Sequence, residues 1–393
     1  MRRELGGVSC IGARYHRGMQ FLAGLRSSSG LRLAGSLALI AVASWGCAGS
    51  GGESREESSP TAVTVSRLER PELVVWRSGH RLVSARANGQ SLRVLVGSRR
   101  TRALKGALFQ RAAWSPNRRK LAFAAQPRGR LSWDTDVYLV RADGSGLRRL
   151  TSDGRSSHPV WSHDPQRIYF AREGAPAEYG NQGRTGRPTA IWSMRPDGSD
   201  RRPITPLVKG RYDIPGSVSP DGATVAFTRG RYVDPNETGR ENNTNEIWLV
   251  RPDGAGARKV AERSQDPAFS PDGRRIAFSS DRDENGNLSY GDRAFYANEL
   301  YVMNVDGSGL RRLTRTRSLN ERQPSWLPNG KRLAYQRGQT YQNAEAMLVM
   351  QMNSDGTCPR TVFPDPGPDR WPWYAAPTWR PGDARSGDGR LGC

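Results

Sequence analysis

Short apolar runs separated by turn residues recur along most of the chain. From Asp266 to Phe278, the runs Ala268-Phe269 and Ile276-Ala277-Phe278 flank Ser270-Pro271-Asp272-Gly273. Proline presets φ for a type I turn and glycine takes the left-handed position that closes it, so this stretch predicts a β-hairpin. One such hairpin cannot bury its apolar face alone. Copies are anchored at Trp114, Trp161, Val218, Phe269, Trp326 and Trp379, with spacings by subtraction of 47, 57, 51, 57 and 53 residues. A second hairpin follows each of the first five. Val137 to Val140 leads through Asp143-Gly144 to Leu150-Thr151, and Leu300 to Met303 leads through Asp306-Gly307 to Leu313-Thr314. Asp-Gly between β-rich runs is a strong hairpin signal.

Four strands per period, at periods of this length, predict propeller blades. Five periods are complete between about residues 112 and 363. The chain ends supply another: Leu73 to Trp76, Arg81 to Ser84 and Leu92 to Val96 give three strands, and Pro377 to Arg380 gives the missing innermost one. The expected fold is all-β, a six-bladed β-propeller of four-stranded antiparallel blades over residues 72–383, its ring closed by N- and C-terminal strands. An open sandwich or a solenoid would not need complementary truncations at both ends, whereas closing a ring removes an open sheet edge.

The pattern Pro-x-Trp-Ser-Pro-Asp-Gly-x-x-Ile-Ala-Phe, then Ile-Tyr-Val-Met-x-x-Asp-Gly, then Arg-x-Leu-Thr resembles the propeller repeat of the TolB-like family. Leu300 to Thr314 is a near copy. The resemblance covers nearly all of the expected folded part and implies the fold more than the function. The extra N-terminal α/β domain of the family's namesake is not expected in the short stretch before the first strand.

Residues 1–47 read as a signal peptide of lipoprotein type. Arg26 and Arg32 precede an apolar run from Leu33 to Ala43, shorter than a comfortable membrane span. Met19 is an alternative start. The run leads to Gly46-Cys47, which resembles a bacterial lipoprotein signal and marks Cys47 for lipidation. Cleavage after Ala43, or retention as an anchor, are the alternatives. Residues 48–71 are polar and read as a flexible tether, and residues 384–393 as a tail. The expected location is extracytoplasmic, in a bacterial cell envelope, at a membrane through the lipid anchor.

The formal net charge is +22, and only five of the 60 basic residues are lysine. Such a field favours anionic partners. Compositional bias, with arginines simply solvating outer strands, is the preferred account, and export argues against nucleic acid. Export also places Cys358 and Cys393 in an oxidising compartment, where a disulfide is expected and free thiols are the alternative.

Tight turns should fall on one face of the ring and long connections on the other, where binding usually resides. The long connections carry Tyr212, Tyr341, Trp371, Trp373 and Tyr374, residue types enriched at interface hot spots and equally suited to local packing. Arg111, His158, Pro215, Asp266, Gln323 and Ala376, taken as the residues just before each innermost strand, should ring the channel mouth as a ligand site or a hydrated funnel. Asp281, Asp283, Asn285, Asn287 and Asp292, with Gly286 at the turn, match the oxygen spacing of a Ca2+ loop. No helices flank them, and a plain strand connection is the alternative. No other cofactor is expected. No Gly-x-Ser-x-Gly, His-Glu-x-x-His or phosphate-loop motif is present. The expected function is non-catalytic binding by a monomer, the partner being an envelope protein or an anionic cell-wall polymer. The competing class is a lyase or hydrolase acting on an envelope carbohydrate, with His158, Asp213 and Asp266 as the residues to test.

Overall fold

The computed structural model describes residues 72–77, 81–86, 93–97, 104, 109–126, 134–175, 187–232, 244–286, 288–290, 293–317, 319–338, 348–362, 378–379 and 393. The leader with Cys47, the tether, Asn287, Asp292, Tyr341, Trp371, Trp373, Tyr374 and Ala376 lie outside them. Among the described residues every regular element of appreciable length is a strand.

β1 (Glu72–Arg77), β2 (Arg81–Arg86) and β3 (Arg93–Val96) form an antiparallel sheet. Thr378–Trp379 adds a strand to its edge, with Val74 opposite Thr378 and Leu73 opposite Trp379. The next sheet is a meander of β4 (Phe109–Trp114), β5 (Lys120–Ala125), β6 (Asp136–Arg141) and β7 (Arg148–Arg149). Then come β8 (Ser156–Trp161), β9 (Ile168–Glu173), β10 (Thr189–Met194) and β11 (Arg202–Pro203), followed by β12 (Arg211–Val218), β13 (Val225–Arg231), β14 (Glu246–Val250) and β15 (Arg258–Glu262). One parallel pairing, Thr189 with Tyr212, joins these two meanders. β16 (Ser264–Phe269) and β17 (Arg275–Ser280) continue after a small hairpin, β18 (Leu288–Tyr290) with β19 (Arg293–Phe295), into β20 (Glu299–Asn304) and β21 (Arg311–Arg312). β22 (Asn320–Trp326), β23 (Arg332–Gly338), β24 (Leu348–Asn353) and β25 (Arg360–Thr361) complete the series.

Apolar clusters lie between successive sheets. Phe123, Tyr138 and Trp114 pack with Leu82 and Val96 of the sheet before. Val137 and Leu139 pack with Phe170 and Trp161 of the sheet after. Middle strands therefore bury both faces, which is why Leu121 to Ala125 reads as a continuous apolar run rather than an alternating one.

The two turn types do separate work. In the first hairpin, Ser270 Oγ accepts the Arg275 N–H at 2.9 Å and the Asp272 carboxylate accepts the Arg274 N–H at 3.1 Å. Ser115 and Ser219 repeat the serine contact at 2.9 Å. In the second hairpin the glycine also meets the preceding sheet. A Cβ on Gly144, Gly254 or Gly356 would stand 2.6, 2.7 or 2.6 Å from the carbonyl oxygens of Leu95, Ile204 and Leu313.

Outer-strand arginines latch neighbouring sheets. Arg148 donates to the Asp197 carbonyl, Arg258 to that of Val305 at 3.1 Å, and Arg311 to that of Asp355 at 3.3 Å. Part of the arginine excess is thus structural, beyond simple solvation. A threonine after three of the outer strands accepts an amide near the start of the third strand: Thr151 from Val137, Thr205 from Ile191, Thr314 from Leu300. Cys358 and Cys393 are disulfide-bonded, their Cα atoms 5.2 Å apart.

Candidate functional site

The first strands of five successive meanders, β4, β8, β12, β16 and β22, line a cavity of about 370 Å³. Arg111, Asp266 and Gln323 line one part of it, and Pro116, Pro220 and Pro271, from the tight turns, another. His163 and Pro271 are exposed at the turn-lined end.

Of the predicted ring residues, Arg111, His158, Pro215, Asp266 and Gln323 are not ahead of these strands, as the sequence suggested, but inside them, at β-bulges. Pairing shifts register between Gln110 and Ala112, Ser157 and Val160, Pro215 and Ser217, Gln265 and Ala268, and Arg322 and Ser325. Prolines 159, 267 and 324 cannot donate to a ladder, so the strand bulges where they fall. His158, Asp266 and Gln323, each just before a proline, adopt φ of 50°, 57° and 54°. Hydroxyls of neighbouring sheets capture the displaced amides: Thr228 accepts the Asp266 N–H at 3.0 Å, and Ser279 that of Gln323 at 3.2 Å.

This geometry brings Arg111, His158 and Asp266 together. Arg111 donates to Asp266 Oδ1, and Arg322 Nε lies 3.7 Å from Oδ2. Burial works against ionisation of Asp266, but the Arg111 and Arg322 guanidiniums outweigh it and hold the carboxyl below its ordinary range. Burial, reinforced by the Arg111 charge and only partly offset by Asp266, pushes the His158 imidazole down to about 3. The cluster near neutral pH therefore holds a neutral histidine, one carboxylate and two guanidiniums.

Beyond the ion pair runs a belt of amides that sequence reasoning missed. Tyr212 donates to Asn245, whose side chain donates to Gln265 at 3.1 Å. Gln265 also accepts from Arg322 at 3.0 Å and donates to Asn298 at 3.2 Å, and Asn298 donates to Asn320 at 3.0 Å. The members stand near the starts of first and third strands, one signal that could have found them. Tyr212 also packs against Tyr232, with ring centroids 4.9 Å apart and planes tilted by 55°.

Other candidates are engaged in the scaffold. Asp213 is fully buried and accepts both Arg229 contacts, at 2.8 and 2.9 Å. In the calcium-like string, Asp281 faces Arg263 at 3.1 Å, Asp283 faces Arg312 at 2.7 Å, and the Asn285 amide donates to Glu299 at 3.0 Å. Among the described residues no three acidic, histidine or cysteine side chains gather as a metal site. Gly286 is fixed by crowding: a Cβ there would overlap the Arg317 carbonyl.

No protein-family model matches the chain. Over 148 residues it is 36% identical to the Tol-Pal system protein TolB of Anaeromyxobacter dehalogenans, covering 37% of this chain and 27% of that protein. The match thus spans little more than a quarter of that relative's length. The crystal structure of TolB from Acinetobacter baumannii superposes with a TM-score of 0.56 at 17% identity, over 80% of this chain and 67% of that one. A chain of the nidogen/laminin complex superposes at 0.53 and 12% identity, over 79% and 98%. The superpositions support a propeller-type all-β fold for the chain, and over part of its length its sequence is similar to TolB.

Proposed function

We propose that this TolB-like chain is an exported, lipid-anchored propeller that binds an envelope protein or an anionic cell-wall polymer without catalysing a reaction. In this reading the four-stranded sheets are six blades, and pairing of β1 with Thr378–Trp379 closes their ring. Residues 1–47 export the chain, Cys47 carries the lipid, and residues 48–71 tether the ring. Tyr212, at the start of β12 rather than on a connection, and Tyr341, Trp371, Trp373 and Tyr374, on the long connections, contact the partner around Arg111, His158, Asp266 and Gln323. The Tol-Pal name of the relative favours a protein partner in the envelope.

The observation that carries the non-catalytic reading is the state of the ionisable groups at the cavity. His158 stays neutral down to about 3, and Asp266 is held ionised by flanking guanidiniums. General acid–base catalysis works best with a group poised near the working pH, and neither is. Asp213 is committed to Arg229.

The test is recovery of envelope partners on the lipidated chain, comparing the wild type with Trp371→Ala/Trp373→Ala and with His158→Asn/Asp266→Asn. Loss of partner with the tryptophan pair supports the long-connection face, and unchanged recovery removes it. Turnover of an envelope saccharide that disappears with His158→Asn/Asp266→Asn while binding persists would establish the lyase or hydrolase reading instead.

A further inference from the structure

The cavity carries two buried polar atoms with no hydrogen-bond partner among the described residues: Arg111 Nε and Asp266 Oδ2. The Asp266 side chain is 8% exposed and that of Arg111 15%, and both residues line the same cavity. A buried polar atom left unsatisfied is costly, so such a pair marks a place where a ligand can supply what the protein does not.

The chemistry required is specific. Arg111 Nε offers a donor and needs an acceptor. Asp266 Oδ2 needs a donor. Two guanidiniums, Arg111 and Arg322, face one carboxylate, so the cluster has a surplus positive charge and favours an anion. A simple anion such as acetate meets Arg111 but sets a second negative charge against Asp266. A neutral sugar meets Asp266 but leaves the surplus charge unmatched. A ligand with both a carboxylate and a nearby N–H or O–H satisfies both atoms. The Gln323 carboxamide and the Ser217 and Ser325 side chains add polar groups to the wall. A volume of about 370 Å³ lies at the lower end of the roughly 300–1,000 Å³ of small-molecule sites.

We infer that the cavity binds a carboxylate carrying a hydrogen-bond donor a few bonds away, the carboxylate on Arg111 and the donor on Asp266 Oδ2. Access is from the end lined by the tight turns, beside exposed His163 and Pro271. Two sources share this chemistry: a hydroxy acid such as a uronic acid, and the C-terminal residue of a peptide with its own N–H. The site uses residues assigned above to partner recognition but rests on neither the long connections nor the lipid anchor, so calorimetry on small acids can fail while partner recovery succeeds, and the reverse.

The experiment is titration calorimetry on the full chain with four probes: galacturonate, N-acetylglycylglycine, galactose and acetate. One or both of the first two are expected to bind, at least tenfold more tightly than galactose or acetate, the worth of about one charge-assisted hydrogen bond. Galacturonate alone identifies a hydroxy acid, and the peptide alone a chain terminus. Asp266→Asn should abolish the preference over acetate, and Arg111→Gln the preference over galactose. Because either change loosens a buried ion pair, Pro271→Trp at the exposed turn provides an independent check: it should slow association at least severalfold without unfolding the chain. The inference is overturned if neither acid binds, if the acids bind no better than the controls, or if a folded Asp266→Asn protein binds them as the wild type does. Unchanged association in Pro271→Trp would overturn the access route.

Discussion

Arg111 and Asp266 are 155 positions apart in the chain and form an ion pair. One comes from β4 and the other from β16, and each sits at a bulge in its strand. Hydrophobic packing between sheets sets the distance between these strands, and the bulges turn the two side chains into contact.

Asp266→Asn should destabilise the protein by about 3 kcal/mol, the scale for removing one partner of a buried pair. Asparagine tolerates the left-handed backbone at this position, so the loss reports the charge rather than strain. The double variant Arg111→Gln/Asp266→Asn should regain part of the loss, since fewer guanidiniums remain uncompensated. Urea unfolding of the two single variants and the double gives the coupling; additive losses would show that the pair does not interact.

His158 should make stability fall with acidification. Its pKa is about 3 folded against 6.5 for the free side chain. Between those values the unfolded chain takes up a proton that the native protein refuses. Its contribution is therefore complete above pH 6.5 and declines towards pH 3, at up to about 1.4 kcal/mol per pH unit. His158→Asn should flatten that part of the stability–pH curve. A slope between pH 6 and 4 unchanged by the substitution would contradict the burial of a neutral imidazole.

Glu321 should act in the opposite sense. It is fully buried, and burial followed by the charge of Glu299 pushes it up to about 8 from 4.5, with Arg337 opposing. The native protein holds a proton there that the unfolded chain releases above pH 4.5. Stability from this group is full below pH 4.5 and is lost as pH rises towards 8. Glu321→Gln should therefore gain on the wild type between pH 5 and 8 in thermal unfolding. A constant difference across that range would rule the assignment out.

The turn glycines should divide into two classes. Gly222→Ala meets nothing within 4 Å and suffers only its φ of 73°, about 1 kcal/mol. Gly254→Ala has φ of 87° and also drives a methyl to 2.7 Å from the Ile204 carbonyl, so it should cost at least twice as much. Chemical denaturation of both variants compares them directly. Equal losses would show that the second-hairpin glycines serve only their own turns.

The fold was largely legible because each hairpin is a local affair. Ser270 to Gly273 closes its turn with its own hydroxyl, carboxylate and glycine, and Phe269 and Ile276 pack among residues of their own period and of the one before, such as Tyr301 and Ile247. The candidate site was legible only in part. Arg111, His158, Asp266 and Gln323 stood out by position within the repeat, but the sequence set them ahead of the strands. The prolines that follow three of them break the ladder, and what a broken ladder does to a side chain depends on the hydroxyl waiting in the next sheet. Thr228 for Asp266 is such a case. The amide belt from Tyr212 to Asn320 was legible only as polar residues near strand starts, because no spacing in the chain announces which amides will face one another.

The sequence by itself determined the strands, the turns and the repeat, since φ preferences and apolar runs act over a few residues. It also determined that Asp266 would stand at a distinctive point in its repeat. Only the tertiary structure decided that this carboxylate is paired with Arg111, that His158 beside it is neutral, and that Asp213 belongs to the scaffold. Those outcomes depend on burial and on charges brought from distant strands, and electrostatic energies in a desolvated cluster are set by separations that no local pattern encodes.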